Sequence, residues 1–288
     1  MVYVPQLDSS MIYFLQSLSS PALDAVMQLF SLLGSPVFWI LIAAFIYWQG
    51  RKNESFYLMN LILVNLIVVG FLKELVARPR PANDLAGVKV IEADYGYGTE
   101  YSFPSGHSAL VASVFGFYLG IKKNWVNLLA ALMILVMISR VYLGVHYLSD
   151  VLAGALLGIF IGFVSFKVFE KKPVVKTRKK TSFIELVLVT LFVLMALFTV
   201  QPVYVTGVFI GFFAGFFLSV EKKLELKKLS SGKLLKRYSK ALVGLLVFLT
   251  PLIYLPNLNV IIQFALMFLA GFWISYLFPL IEAKGKLF

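Results

Sequence analysis

The chain has 288 residues, 60% of them apolar and only 14% charged. Its mean hydropathy of +0.88 puts it far from an ordinary soluble domain, which is about 45–50% apolar and about 25% charged, so a soluble globular enzyme and a disordered chain are both excluded. There is no cysteine, which excludes disulfide frameworks and thiolate metal sites, and the formal charge of +12 reads as the basic cytoplasmic loops of a membrane protein rather than as a nucleic-acid surface.

Residues 1–28 contain no Lys or Arg, so the basic start of a signal peptide is missing. Phe14, Leu15, Leu18, Leu23, Val26 and Met27 fall roughly at helical spacing between polar residues. This segment reads as an amphipathic interfacial helix in preference to a further span. A bilayer core takes about 20 apolar residues per helix, and nine stretches qualify: 29–48, 56–77, 104–121, 125–143, 147–169, 183–200, 202–220, 241–256 and 258–280. The last four are short and closely spaced. They predict two helical hairpins, with turns at Pro202 and at Pro256–Asn257. The expected fold is all-α, a polytopic transmembrane helical bundle of about nine spans.

Charge orients the spans. The segments 51–54, 122–124, 167–182, 221–240 and the tail after 281 carry 2, 2, 7, 8 and 2 Lys or Arg, together 21 of the 26. By the positive-inside rule these are cytoplasmic. The N-terminus is then outside and the C-terminus inside, and the alternation holds through all nine spans. The longest such loop, 221–240, reads as a topology-setting loop on the inner leaflet. Gly154, Gly158 and Gly162, and again Gly207, Gly211 and Gly215, recur every four residues. Small-residue faces of this kind predict close helix contact in lipid.

The other five basic residues, Lys73, Arg78, Arg80, Lys89 and Arg140, fall at opposite, outer ends of the spans. The chain's two histidines, His107 and His146, begin the third and fifth spans. Charged groups this close to a membrane are costly and need a reason. Cations and imidazoles gathered in one shallow layer suggest an anion site and phosphate chemistry. In Pro104-Ser105-Gly106-His107 a proline opens a helix. Ser105, Gly106 and His107 then offer backbone N–H groups at the positive end of the helix dipole. His146 and Asp150 are four apart and share a helix face. A carboxylate there can take the Nδ1 proton and leave Nε2 outward as a nucleophile. Lys73, Arg80 and Arg140 suit the charge of a phosphoryl group, which spreads over its equatorial oxygens in the transition state. Arg78 is needed by none of these patterns and reads as an anchor at a helix end.

Together these segments resemble the type 2 phosphatidic acid phosphatase superfamily. Its three blocks are met by Lys73…Arg80-Pro81 in KELVARPRP, by Pro104–His107, and by Ser139-Arg140…His146…Asp150 in SRVYLGVHYLSD. One block would be weak, but three in order and at outer span ends are specific. The resemblance covers about residues 29–169. It implies that His146 attacks phosphorus to form a phosphohistidine and that Asp150 orients it. His107 would protonate the leaving oxygen and then activate water. Lys73, Arg80, Arg140, Ser105 and Gly106 would hold the phosphoryl group. It implies no metal and no cofactor. In agreement, the outer acids Asp84, Glu92, Asp94 and Glu100 form no metal-ligand motif.

The implied protein is a multi-pass lipid phosphatase whose partners are a phosphorylated lipid substrate and the bilayer, with no nucleic acid. It would sit in a bacterial or archaeal cell membrane with its site on the extracytoplasmic face. The expected organisation is an interfacial segment at 1–28, a catalytic core at 29–169 and extra C-terminal helices at 170–288. Those extra spans are similar to sphingosine-1-phosphate phosphatases. The Pro-Ser-Gly-His form is more similar to bacterial phosphatidylglycerophosphate and undecaprenyl pyrophosphate phosphatases. Two other readings use the same residues: a phosphate-lipid binding or transport protein without turnover, and a haloperoxidase. The loop 82–103 is either a lid over the headgroup or a solvated connection.

Overall fold

A computed structural model of the chain describes residues 6–91, 100–121, 124–171, 203–226, 231–255 and 258–284. Among these, regular structure is helical, with one isolated backbone bridge between Pro79 and Tyr101. The helices are α1 (Gln6–Ser17), α2 (Pro21–Leu33), α3 (Pro36–Trp48), α4 (Lys52–Val76), α5 (Pro81–Asp84), α6 (Gly106–Ile121), α7 (Val126–Tyr142), α8 (Leu148–Lys171), α9 (Val203–Glu221), α10 (Ser231–Tyr254), α11 (Val260–Phe272) and α12 (Phe278–Ala283). A π-turn over Trp273–Leu277 joins the last two. The expected span 183–200, the turns at Pro202 and Pro256–Asn257, and residues 92–99 of the loop 82–103 lie outside the described residues.

Four described helices are long and apolar enough to cross a membrane: Lys52–Val76, Leu148–Val168, Gly232–Tyr254 and Val260–Ala283. The pair α2 and α3 passes the same test together, bent by 53°. The bend has a local cause. Pro36 cannot continue the helical ladder, and Ser35 caps the new helix by accepting from the Phe38 N–H at 3.3 Å. The helices Gly106–Ile121, Val126–Tyr142 and Thr206–Glu221 are apolar but shorter. The segment 221–240 is not a loop throughout, because α10 already begins at Ser231.

The chain forms two compact units. One comprises Met1–Trp39 and Asn60–Lys171, the other Ile40–Met59 and Lys172–Phe288. In the first, α6 and α8 pack backbone to backbone. A Cβ on Gly154, Gly158 or Gly162 would come within 2.5, 2.1 and 2.1 Å of the carbonyl oxygens of Ser105, Ala109 and Ser113. The outward face of α8 carries Leu152, Leu156, Phe160 and Phe163, all at least half exposed or nearly so. An apolar stripe turned outward and glycines turned inward are what a helix in lipid requires. Asn65, fully buried in α4, donates to Ser113 Oγ of α6 at 2.8 Å.

The second unit uses the same device. Cβ atoms on Gly207 and Gly211 of α9 would meet the Phe264 and Phe268 carbonyls of α11 at 2.6 and 1.9 Å. Its buried polar groups tie helix ends together. Tyr47 donates to Ser219 Oγ and to the Ser275 carbonyl at 3.0 and 2.7 Å. Lys52 donates to Ser219 Oγ at 2.9 Å and to the Leu224 carbonyl. Arg237 bonds the Trp48 carbonyl and Glu282, each at 3.0 Å.

Candidate active site

The site belongs to the first unit and is built from the ends of α4, α6, α7 and α8. Lys73 lies in the last turn of α4 with 1% exposure, and its ammonium donates to the carbonyls of Tyr101 and Ser102. Ala77 then stops the helix by adopting φ +49°. A left-handed residue is a common helix terminator, although usually a glycine. The chain turns so that Arg78 points back inward and Arg80 leads into α5 at Pro81.

Pro104 and Ser105 precede α6, and Gly106 and His107 open it, all buried. Here the structure corrects one expectation. The Ser105 N–H is not available to an anion, because it donates to the Asp150 carbonyl at 3.0 Å. The bond spends a donor to fix α6 against the start of α8. Gly154 lies directly under the same Ser105, so the glycine stripe and this bond set one register. Ser105 Oγ accepts from Ser108 Oγ at 3.0 Å.

Arg140 ends α7 at 2% exposure, and its guanidinium donates to Ser31 Oγ of α2. The chain reverses through Gly144 at φ +76°. A Cβ there would also strike the Lys89 carbonyl at 2.3 Å, so glycine is required twice over. His146 follows, 3% exposed, and Asp150 enters the first turn of α8 fully buried.

The expected hydrogen bond between these two is replaced by a looser pair. His146 Nδ1 and Asp150 Oδ2 are 3.7 Å apart, beyond hydrogen-bond length. The carboxylate is held by other groups. Oδ2 accepts the Tyr147 N–H at 2.9 Å, and Oδ1 accepts from Arg78 at 2.7 Å. Arg78 is therefore not an anchor in the interface. It is 7% exposed, pairs also with Asp8 of α1 at 2.8 Å, and lies 3.9 Å from the Tyr147 ring centre.

The charges converge. His107 is within electrostatic reach of Arg140, His146, Arg80 and Lys73, and His146 of Lys73, Arg140 and Arg80. Burial first, and then these three cations, hold the His146 imidazole well below the ordinary histidine range. It is consequently neutral at pH 7, with a lone pair available. Two imidazoles facing three cations can bind a dianion and move protons to and from it.

Of the expected residues, Lys73, Arg80, His107, Arg140, His146 and Asp150 lie close to one another. Sequence reasoning missed Arg78, Asp8 and Ser31. Asp8 left one trace, as an isolated acid on a helix lacking basic residues, a charge in want of a distant partner.

The PAP2 superfamily model matches residues 54–173, and the model of the PAP2 superfamily phosphatase transmembrane extension matches 203–287. A lipid A 4'-phosphatase of Porphyromonas gingivalis is 25% identical over 181 residues, covering 59% of this chain and 75% of the relative. An undecaprenyl-diphosphatase of Sulfolobus acidocaldarius is 32% identical over 156 residues, covering 54% and 74%. The crystal structure of Aquifex aeolicus LpxE superimposes with a TM-score of 0.50 at 25% identity, covering 58% of this chain and 99% of that one.

Proposed function

The chain belongs to the PAP2 superfamily, and on that footing we propose that it is an integral membrane lipid phosphatase that cleaves a phosphomonoester or pyrophosphate of a lipid without a metal. His146 Nε2 attacks phosphorus, and the bond to the leaving oxygen breaks as His107 gives that oxygen a proton. The phosphoryl group is then on His146. His107, now neutral, takes a proton from water. The resulting oxygen displaces the histidine nitrogen and inorganic phosphate leaves. Lys73, Arg80 and Arg140 bind the phosphoryl oxygens, with help from the Gly106 N–H and Ser105 Oγ. Their charge counts for most where negative charge spreads in the transition state. Asp150 lies on the Nδ1 side of His146 and favours the imidazolium that forms.

What carries this reading is the convergence of three cations on two buried imidazoles, with the Asp150 carboxylate on the Nδ1 side of His146. A binding protein would need the cations alone. The substrate class follows from the relatives, which are named for lipid A and undecaprenyl diphosphate. A bilayer setting suits such substrates, because a lipid tail stays in the membrane while its headgroup reaches the helix ends. The topology that fits is nine spans, with the basic loops inside and the site on the extracytoplasmic face. Residues 1–28 lie at the interface, 29–169 form the catalytic core and 170–288 the added helices.

The test is phosphate release by purified protein in detergent with excess EDTA. Phosphatidic acid, phosphatidylglycerophosphate, undecaprenyl pyrophosphate and sphingosine-1-phosphate would be compared, with His146→Ala beside wild type. Release that resists EDTA and is lost in the variant is expected. Release that depends on added metal, or that survives in the variant, contradicts the mechanism.

A further inference from the structure

We propose that Arg78 and Asp8 form a buried charge relay that positions Asp150, and through it the attacking histidine. The inference rests on the reading of His146 as nucleophile. Arg78 Nη1 donates to Asp150 Oδ1 and to Ser149 Oγ, both at 2.7 Å, while Nη2 donates to Asp8 Oδ2 at 2.8 Å. Asp8 is itself locked onto the start of α8, since Oδ1 accepts the Ser149 N–H at 2.9 Å and Oδ2 accepts Ser149 Oγ–H at 2.6 Å. The Tyr147 ring covers the guanidinium face. The planar fork of an arginine is thus engaged at two edges and one face, a geometry that lysine cannot reproduce.

The same residue joins all three sequence blocks. Its own position is inside the first. Its backbone carbonyl accepts the Ser102 N–H at 2.8 Å, two residues before the second block opens at Pro104. Its side chain grips the acid of the third. Both carboxylate oxygens of Asp150 are then committed, Oδ1 to Arg78 and Oδ2 to the Tyr147 N–H. The plane of the carboxylate beside His146 is fixed as a result.

Charge explains why a second acid is present. Arg78 and Asp150 alone would make a neutral pair, and Asp150 would lose its pull on the positive charge that develops on His146. Adding Asp8 makes the trio net negative by one, so the side of His146 that faces Asp150 keeps a negative charge to set against the three cations around the ring. Asp8 comes from α1, outside the region covered by the family model. The N-terminal helix therefore contributes to the chemistry, not only to the surface of the membrane.

The experiment compares Asp8→Asn, Asp8→Glu and Arg78→Met with wild type and His146→Ala in the full-length protein. Rates are normalised to folded protein by a melting curve, and the lipid phosphate used is whichever wild type turns over fastest. Asp8→Asn keeps the shape and removes the charge, so kcat is expected to fall about 10-fold with KM nearly unchanged. Asp8→Glu restores the charge and should recover most of that loss. Arg78→Met should cost about 100-fold in kcat, the scale of a misplaced catalytic group. Normalised kcat within about twofold of wild type in both Asp8→Asn and Arg78→Met, with His146→Ala inactive, overturns the proposal. So does a loss in which KM rises and kcat holds. An active His146→Ala would instead remove the reading on which the proposal rests.

Discussion

The α6–α8 pair and the α9–α11 pair are assembled by the same rule and do different things. Each is held by glycines four residues apart, so close to the facing backbone that a single methyl group would not fit. What differs is the use of buried charge. In the second unit Lys52 and Arg237 reach across to carbonyl oxygens at helix ends, and Arg237 also to Glu282. In the first, Lys73, Arg80 and Arg140 are gathered around two imidazoles. Glycine spacing thus reports how near two helices come, and the ionisable groups above the stripe decide whether that nearness serves chemistry.

Replacing one arginine from each unit should break the comparison most sharply. Arg140→Ala is expected to lower kcat by about 10³-fold, the scale of losing one donor to a transition-state oxyanion. Arg237→Ala should leave kcat unchanged and cost roughly 3 kcal/mol of stability, because Glu282 loses its partner. Parallel kinetics and denaturation curves would check both. A matched pair of glycine substitutions comes next. Gly158→Val and Gly211→Val should each destabilise by about 3 kcal/mol through overpacking. Only Gly158→Val should also reduce the turnover of the protein that remains folded, since it shifts α8 against α6.

A smaller effect is expected from Ser31→Ala, which removes the partner of the Arg140 guanidinium from α2. The loss should be about 10-fold in kcat/KM, readable from initial rates. The last prediction concerns pH. In the proposed mechanism the free base of His146 is the reactive form, and its pKa is lowered, so it stays available at pH values that would protonate an ordinary histidine. The acid limb of kcat/KM against pH should therefore lie below about 6.5. An acid limb at or above that value would show that the cations do not act on this imidazole.

Much of this was readable from the sequence because the relevant signals are local. Hydropathy marked α4, α6, α7 and α8 to within a few residues, but not the start of the chain, where α2 begins at Pro21 inside the expected interfacial segment. The four-residue glycine spacing marked which faces touch. The three blocks by themselves single out Lys73, Arg80, His107, Arg140, His146 and Asp150. What stayed hidden was set by contacts with no local signature. Arg78 looked dispensable because its partners lie 70 residues before it and 72 after it. The Ser105 N–H looked available because helix starts usually leave such donors open, and only the packing of α8 shows it occupied. The single span expected at 29–48 is instead two helices, Pro21–Leu33 and Pro36–Trp48, meeting at 53° where Pro36 breaks the ladder.

The tie between Asp8 and Ser149 spans 141 residues of chain. A ribosome delivers the two ends of that tie many seconds apart, at about 5–20 residues per second. The early segments carry Asp8 and Arg78 with no Asp150 to hold, and the candidate site is incomplete until α8 is made. A truncated or stalled product therefore carries the first two sequence blocks without His146 and Asp150, and the proposed chemistry waits on the completion of the first unit.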